Sequence, residues 1–155
     1  MHRGRIKHYA LIPAKEESLR CRNKNWRKFI QGCSLVDFTL KTIPAHMFEK
    51  IIVSTDRIDY RACAGIQKHI RSKKLAARKS CVLGLINVIM REYEIPDDAY
   101  IWLLNPTSPF RSASDYYGIA KIIENKRSIA LISVRTISPF IWKGNKALFA
   151  TTGKR

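Results

Sequence analysis

A chain of 155 residues with 46% hydrophobic content fits one domain, residues 1–155, with its own core and leaves no room for a second. Its formal net charge of +17 admits nucleic acid, an anionic surface or an anionic small substrate as partner without choosing among them. No apolar run approaches the roughly 20 residues of a membrane span, and the basic stretch Met1 to Lys7 has no signal-peptide core behind it, so a soluble, cytoplasmic protein is expected.

In chain order, His8 to Ile12 has the β-branched and aromatic character of a buried strand that stops at Pro13. Ser34 caps a helix, with Asp37 three residues later in a capping-box arrangement and Leu35, Phe38 and Thr42 expected on its inner face. Lys50 to Ser54 reads as the second strand, with Thr55 and Asp56 at its carboxyl end. A short helix is expected over Asp59 to Ala64, ended by Gly65, and Gly65 makes Ile66 to Ile70 a small strand rather than more helix. Val82, Leu85, Ile86, Ile89 and Tyr93 fall at helical spacing, with Ser80 as candidate cap and Pro96 as terminator. Ala99 to Leu104 is the most apolar run and reads as a central strand. Ser112 and Asp115 open a helix with Tyr116, Ile119, Ala120 and Ile123 facing inward, and Ile129 to Val134 is a further strand. Strands alternating with helices predict parallel pairing with right-handed crossovers, a three-layer, Rossmann-like α/β sheet.

Cys21, Cys33, Cys63 and Cys81 form no C-x-x-C pair, and His2, His8, His46 and His69 form no i, i+4 pair, so no zinc site is spelled and reduced thiols are expected. The basic residues spread over Arg3 to Lys7, Arg20 to Lys28, Arg71 to Lys79 and Lys143 to Arg155, with no RNP, helix-turn-helix or zinc-finger pattern. Nucleic acid is therefore not the expected partner. The stretch Ile12 to Asn25 is more telling, because Lys15, Arg20, Arg22 and Lys24 leave the carboxyl end of the first strand. Ligands sit at that edge of an open α/β sheet, and cations there neutralise phosphate oxygens.

The spacing of this stretch resembles the N-terminal signature of the acylneuraminate cytidylyltransferases, I-P-A-R-x-x-S-x-R-x-x-x-K-N. Lys15 stands for the first Arg, while Ser18, Arg20, Lys24 and Asn25 match. Glu16 and Glu17 occupy positions that are often Gly, and Arg22 one that is usually Pro. Two further segments resemble the family's in order, VSTD at Val53 to Asp56 and NPTSPFR at Asn105 to Arg111, so the likeness runs roughly from Tyr9 to Lys143. All three follow predicted strands and are expected to converge on one cleft.

The resemblance implies a nucleotidyltransferase fold and transfer of CMP from CTP to an acidic nine-carbon keto sugar, with release of pyrophosphate and help from Mg²⁺. It implies that Lys24 and Lys15 act on the phosphates, with Lys24 at the α-phosphate and Lys15 and Arg20 on the outer ones. Ser18 and Asn25 would supply neutral hydrogen bonds and Arg71 would hold the cytidine. Asn105 stands where the family usually has Gln; with Thr107, Ser108, Arg111 and, on the loop past the last strand, Lys143, it would face the sugar. Asp56 is read equally as a cap of the next turn and as a ligand.

Family members continue for some tens of residues beyond this length, into Mg²⁺-binding aspartates and a dimer-forming extension. The chain is accordingly expected to be a C-terminally incomplete domain whose protein ligands for Mg²⁺ are missing, whose dimer interface is incomplete, and whose pyrophosphate release barely exceeds background. A Kdo-type or other sugar nucleotidyltransferase is a second reading, disfavoured because NPTSPFR replaces that group's acidic segment. A non-catalytic basic module binding nucleotide or nucleic acid is a third.

Overall fold

The computed structural model describes residues 5–18, 21–77, 81–126 and 130–132, together with the backbone of residues 142–143 and 146–147. The elements run β1 (His8–Pro13), α1 (Leu35–Thr42), a 3₁₀ turn at Ala45–Met47, β2 (Lys50–Thr55), β3 (Ile66–Ile70), α2 (Lys73–Ala76), α3 (Val82–Glu92), β4 (Tyr100–Leu103) and α4 (Ala113–Lys126). A short antiparallel pair, β5 (Trp142–Lys143) and β6 (Lys146–Ala147), follows. The main sheet is wholly parallel in the order β3-β2-β1-β4.

Alternate residues of β1 serve two cores, as the pleat of a doubly covered strand requires. Ala10 and Ile12 join Ile51, Val53, Val36, Trp102, Tyr116 and Ile123 in a core beneath α1 and α4. Tyr9 and Leu11 face the other way, with Ile52, Leu85, Ile89 and Ile95 under α3. Helices on both faces of a parallel sheet give the expected three layers.

Both capping boxes form. The Ser34 hydroxyl accepts from the Asp37 amide at 3.1 Å while the Asp37 carboxylate accepts from the Ser34 amide at 3.1 Å. Asp115 accepts from the Ser112 amide at 2.7 Å in the same way. In α4, Tyr116 and Ile123 are buried, with Ile119 and Ala120 packed at their margin, as the spacing predicts.

Several expectations are corrected. The buried face of α1 is Val36 and Thr39, extended by Leu40 and Ile43, rather than Leu35, Phe38 and Thr42. The helix is turned by one residue, and Phe38 instead packs edge-on against Phe110 with ring centroids 5.8 Å apart. Asp59 to Ala64 is not helical. Six residues hold too few helical hydrogen bonds to offset nucleation, and Arg57 spends the Asp59 carboxylate in a forked pair at 2.8 and 2.9 Å. Gly65, at φ +79°, turns the chain into β3, the strand expected there. The apolar run of β4 lies at the end of the described sheet rather than at its centre, because the chain returns from α3 to the free side of β1. Ser80 lies outside the described residues, and Cys81 takes the N-cap position of α3 without a side-chain hydrogen bond. Of the strand expected at Ile129 to Val134, residues 130–132 are irregular and the rest lie outside the described residues.

Two buried histidines should make the fold acid-sensitive. Trp102 Nε1 donates to His8 Nδ1 at 3.1 Å, which holds His8 as the neutral Nε2–H form. Burial pushes the pKa of His8 down from 6.5, and burial does the same to His69. Stability from keeping the two rings neutral is complete above the ordinary value of about 6.5 and is lost as pH falls through the lowered folded values. The urea midpoint should therefore fall between pH 7.5 and pH 5.5, and replacing both histidines by asparagine should flatten that dependence.

Candidate functional site

β1 is followed in the chain by β2 on one side and is flanked by β4 on the other, so the strand order reverses beside it. Loops leaving the two strands at such a point diverge and open a crevice at the carboxyl edge. A cleft of about 360 Å³ lies there, lined by Lys15, Ser18, Lys24 and Asn25 from the loop after β1, Arg71 after β3, and Asn105 and Thr107 after β4.

The first loop is held by its backbone. Ala14 donates to the Ser54 carbonyl at 2.8 Å, prolonging the β1–β2 pairing by one residue. The Glu16 amide then donates to Asp56 Oδ1 at 2.7 Å. The Lys15 carbonyl between them accepts from Asn25 Nδ2 at 3.0 Å and from Trp26 Nε1 at 3.2 Å. Asn25 is buried, and its own carbonyl accepts from the Val36 amide in the first turn of α1 at 3.2 Å. Asn25 thus ties the two ends of the basic loop together, and its amide nitrogen is engaged there. Asp56 neither caps the turn after it nor reaches into the cleft as a ligand. The turn is capped by Thr55 Oγ1, which accepts from the Arg57 amide at 3.0 Å, while Asp56 steadies the neighbouring loop.

The cations arrive from different directions. Lys15 Nζ donates to the Ala77 carbonyl at 2.7 Å, reaching the segment after α2. Its pKa is lowered by burial and then by Arg71, with Asp56 opposing. Lys24 is half-buried in the cleft wall. Arg71 is 7% exposed, its amide donates to the Thr55 carbonyl at 2.8 Å and its Nε donates to Ser54 Oγ at 2.9 Å. Its Nη2 is buried without a hydrogen-bond partner. Burial lowers its pKa and Asp56 opposes the shift, and a guanidinium stays charged through any such change. Three cationic side chains therefore face one small volume, against Glu17 as the carboxylate in the lining. Such an arrangement attracts a multiply charged anion.

The second wall is the segment Asn105 to Arg111. Pro106 and Pro109 are buried, leaving Asn105, Thr107 and Ser108 exposed between and before them. The Asn105 carbonyl accepts from the Ser108 amide at 3.1 Å and from Arg111 Nη2 at 3.2 Å. Ser108 and Arg111 are not among the residues lining the cleft, and Arg111 turns back on its own loop. Arg20 lies outside the described residues. Lys143, expected on a loop, has its backbone in β5 opposite Lys146, while its side chain lies outside the described residues.

Among the described residues no group of three His, Cys, Asp or Glu side chains could hold a metal ion, and the Asp56 oxygen beside the loop is taken by Glu16. They do not form a metal-holding set, and what they offer an anion is positive charge and hydrogen bonds. Nor, among the described residues, is any helix long and apolar enough to cross a membrane.

The fold and this edge define a class by architecture, a Rossmann-like, three-layer α/β sheet with its crevice at the reversal of strand order. The chain superposes on the crystal structure of Francisella tularensis 2-C-methyl-D-erythritol 4-phosphate cytidylyltransferase with a TM-score of 0.60 at 21% identity, covering 85% of this chain and 62% of that one. It also matches Rv0371c from Mycobacterium tuberculosis H37Rv with a TM-score of 0.58 at 15% identity, covering 77% and 62%. In sequence the chain is 34% identical over 124 residues to the N-acylneuraminate cytidylyltransferase of Escherichia coli O18:K1:H7, a match covering 77% of this chain and 29% of that protein. Across that span it is a relative of the acylneuraminate cytidylyltransferases, whose motifs its loops resemble. No protein-family model matches the chain.

Proposed function

We propose that this chain is a single cytidylyltransferase domain that binds CTP across the cleft and transfers CMP to a nonulosonic acid of the sialic-acid kind. The observation carrying this reading is the meeting of Lys15, Lys24 and Arg71, from two separate loops, in one cleft at the reversal of strand order. The kinship in sequence to an N-acylneuraminate cytidylyltransferase supports the nature of both substrates.

In this reading the anomeric hydroxyl of the sugar attacks the α-phosphorus, and the bond from that phosphorus to the pyrophosphate oxygen breaks. Lys24 neutralises charge at the α-phosphate, while Lys15 and Arg20 hold the outer phosphates and Ser18 adds a neutral hydrogen bond. Asn25 serves chiefly by holding the Lys15 backbone. Arg71 holds the cytidine. The sugar lies against Asn105, Thr107 and Ser108, with Arg111 and Lys143 as the cations for its carboxylate, Arg111 after leaving the Asn105 carbonyl. Mg²⁺ accompanies the nucleotide polyphosphate. A cytoplasmic location agrees with four free thiols, and a homodimer belongs to the same proposal.

A nucleotide panel tests the reading. Calorimetry with CTP, UTP, ATP and GTP should show selection of CTP, whereas affinity for a homopolymeric polynucleotide should fall steeply with salt and fade near physiological ionic strength. Tight polynucleotide binding at that salt, undisturbed by excess CTP, would point instead to a basic nucleic-acid module. A sugar panel with CTP present separates sialic-acid-like acceptors from Kdo-type ones.

A further inference from the structure

Behind Arg71 lies a line of buried polar groups that the cleft does not use directly. Ser54 on β2 and His69 on β3 are register partners on the face under α3. Ser54 is 0% exposed and His69 4%. Arg71 Nε lies 2.9 Å from Ser54 Oγ, Ser54 Oγ lies 2.8 Å from His69 Nδ1, and His69 Nε2 lies 3.3 Å from Glu92 Oε2 on α3.

The two charged ends set the direction of the chain. A guanidinium only donates, so Ser54 Oγ accepts from Arg71 with one lone pair and keeps both its proton and a second lone pair to offer His69 Nδ1. With the Glu92 carboxylate 3.3 Å from Nε2, the neutral ring is favoured with its hydrogen on that side, which leaves Nδ1 to accept the Ser54 proton. A Ser–His–Glu sequence invites comparison with a hydrolytic triad, but Ser54 is wholly buried and is not part of the cleft lining, so it cannot reach a substrate.

We infer that Ser54 and His69 are positioning residues that orient the Arg71 guanidinium toward a bound nucleotide, with Glu92 anchoring the far end of the chain. The inference rests on the reading of Arg71 as a nucleotide contact. An arginine swings freely unless its nitrogens are held, and holding Nε fixes the plane in which the unpartnered Nη2 presents its hydrogens.

The chain also admits protons from a second place. His69 and Glu92, together with Lys74 and Arg91, line a separate cleft of about 640 Å³, and the Glu92 side chain is 53% exposed. The charges that act on the imidazole are Glu92 on α3 and Arg71 after β3, while Arg91 on α3 and Lys74 on α2 line the cleft that it borders. Burial and Arg71 keep the ring neutral against the pull of Glu92. A proton on Nδ1 would point at Ser54 Oγ, strip the hydroxyl proton of its acceptor and place a second cation beside Arg71. Acid should therefore loosen the grip on nucleotide without changing any group in the cleft.

The test measures CTP dissociation constants and thermal midpoints at pH 8 and pH 6 for wild type, Ser54→Ala, His69→Leu, His69→Asn and Arg71→Ala. His69→Asn keeps an acceptor near the Nδ1 position and cannot titrate. At pH 8, Ser54→Ala should weaken CTP binding by about tenfold, the loss of the charge-assisted hydrogen bond to Arg71, and His69→Leu by a similar amount, by freeing Ser54 to turn away from Arg71. His69→Asn should stay near wild type at pH 8 and should lack the part of the acid weakening that wild type shows. That wild-type comparison holds even if a more disruptive variant fails to fold. If Arg71→Ala weakens CTP binding while Ser54→Ala and His69→Leu stay within twofold, or if His69→Asn and wild type share one pH profile, the positioning role is refuted and the CTP reading stands. If Arg71→Ala leaves CTP binding unchanged, the nucleotide reading of Arg71 falls and the inference with it.

Discussion

Lys24→Ala should weaken CTP binding by about ten- to a hundredfold, the worth of a charge-assisted hydrogen bond to phosphate, while leaving the thermal midpoint where it was. The residue sits in a turn held by backbone bonds that alanine keeps: Lys24 donates its amide to the Cys21 carbonyl at 3.2 Å, and Asn23, at φ +53°, receives the amides of Trp26 and Arg27 at 3.0 and 2.9 Å. Nothing in that turn depends on the lysine side chain. Lys121, exposed on α4, is the control, since a surface lysine rarely matters beyond about 0.5 kcal/mol. Titration of both variants with CTP decides the matter, and equal losses from the two would remove Lys24 from the phosphate site.

The features legible in the sequence were those carried by local chemistry. Ser34 with Asp37 and Ser112 with Asp115 each announce a helix start within four residues, and both boxes form. The β-branched run of β2 needed nothing beyond itself. What escaped was set by partners distant in sequence. The rotation of α1 depends on which face meets β1 and α4, so Val36 and Thr39 go inside although Leu35 and Phe38 are the larger residues. The hold on the Lys15 carbonyl comes from Asn25 and Trp26, and that on the Glu16 amide from Asp56. In the sequence Asn25 stands out only as a motif position, while Trp26, directly after it, is a ring whose N–H needs an acceptor once partly buried. Ser54 and His69 meet because β2 and β3 align in one register, and no spacing rule brings residues fifteen apart into contact. Of the three segments expected to meet because each follows a strand, those after β1 and β4 line the cleft at the reversal of strand order, while Val53 to Asp56 does not and Asp56 instead holds the Glu16 amide.

Trp102→Ala should be the most damaging single change to the fold. Trp102, 8% exposed on β4, packs edge-on against Phe48 at 5.4 Å and stacks with Tyr116 at 5.9 Å, joining the sheet to α4. Emptying that position costs about 3–5 kcal/mol, a large share of the roughly 5–15 kcal/mol that keeps a domain folded. Trp102→Phe separates packing from hydrogen bonding. It keeps an aromatic ring but leaves His8 Nδ1 without its donor, a loss of about 1–3 kcal/mol for a buried polar atom. The phenylalanine variant should also weaken the dependence of stability on pH, because without the indole N–H the Nδ1 proton of a charged His8 no longer meets a competing donor. The carboxyl end of β4 is held separately, by the Leu104 amide donating to the Leu11 carbonyl at 2.9 Å, so Asn105 and Thr107 should keep their places. CTP affinity of the folded Trp102→Phe protein should then match wild type even as its urea midpoint, followed by circular dichroism, moves down. If affinity falls in step with stability, the cleft is not an independent edge of the sheet but part of the same packing unit as the aromatic core.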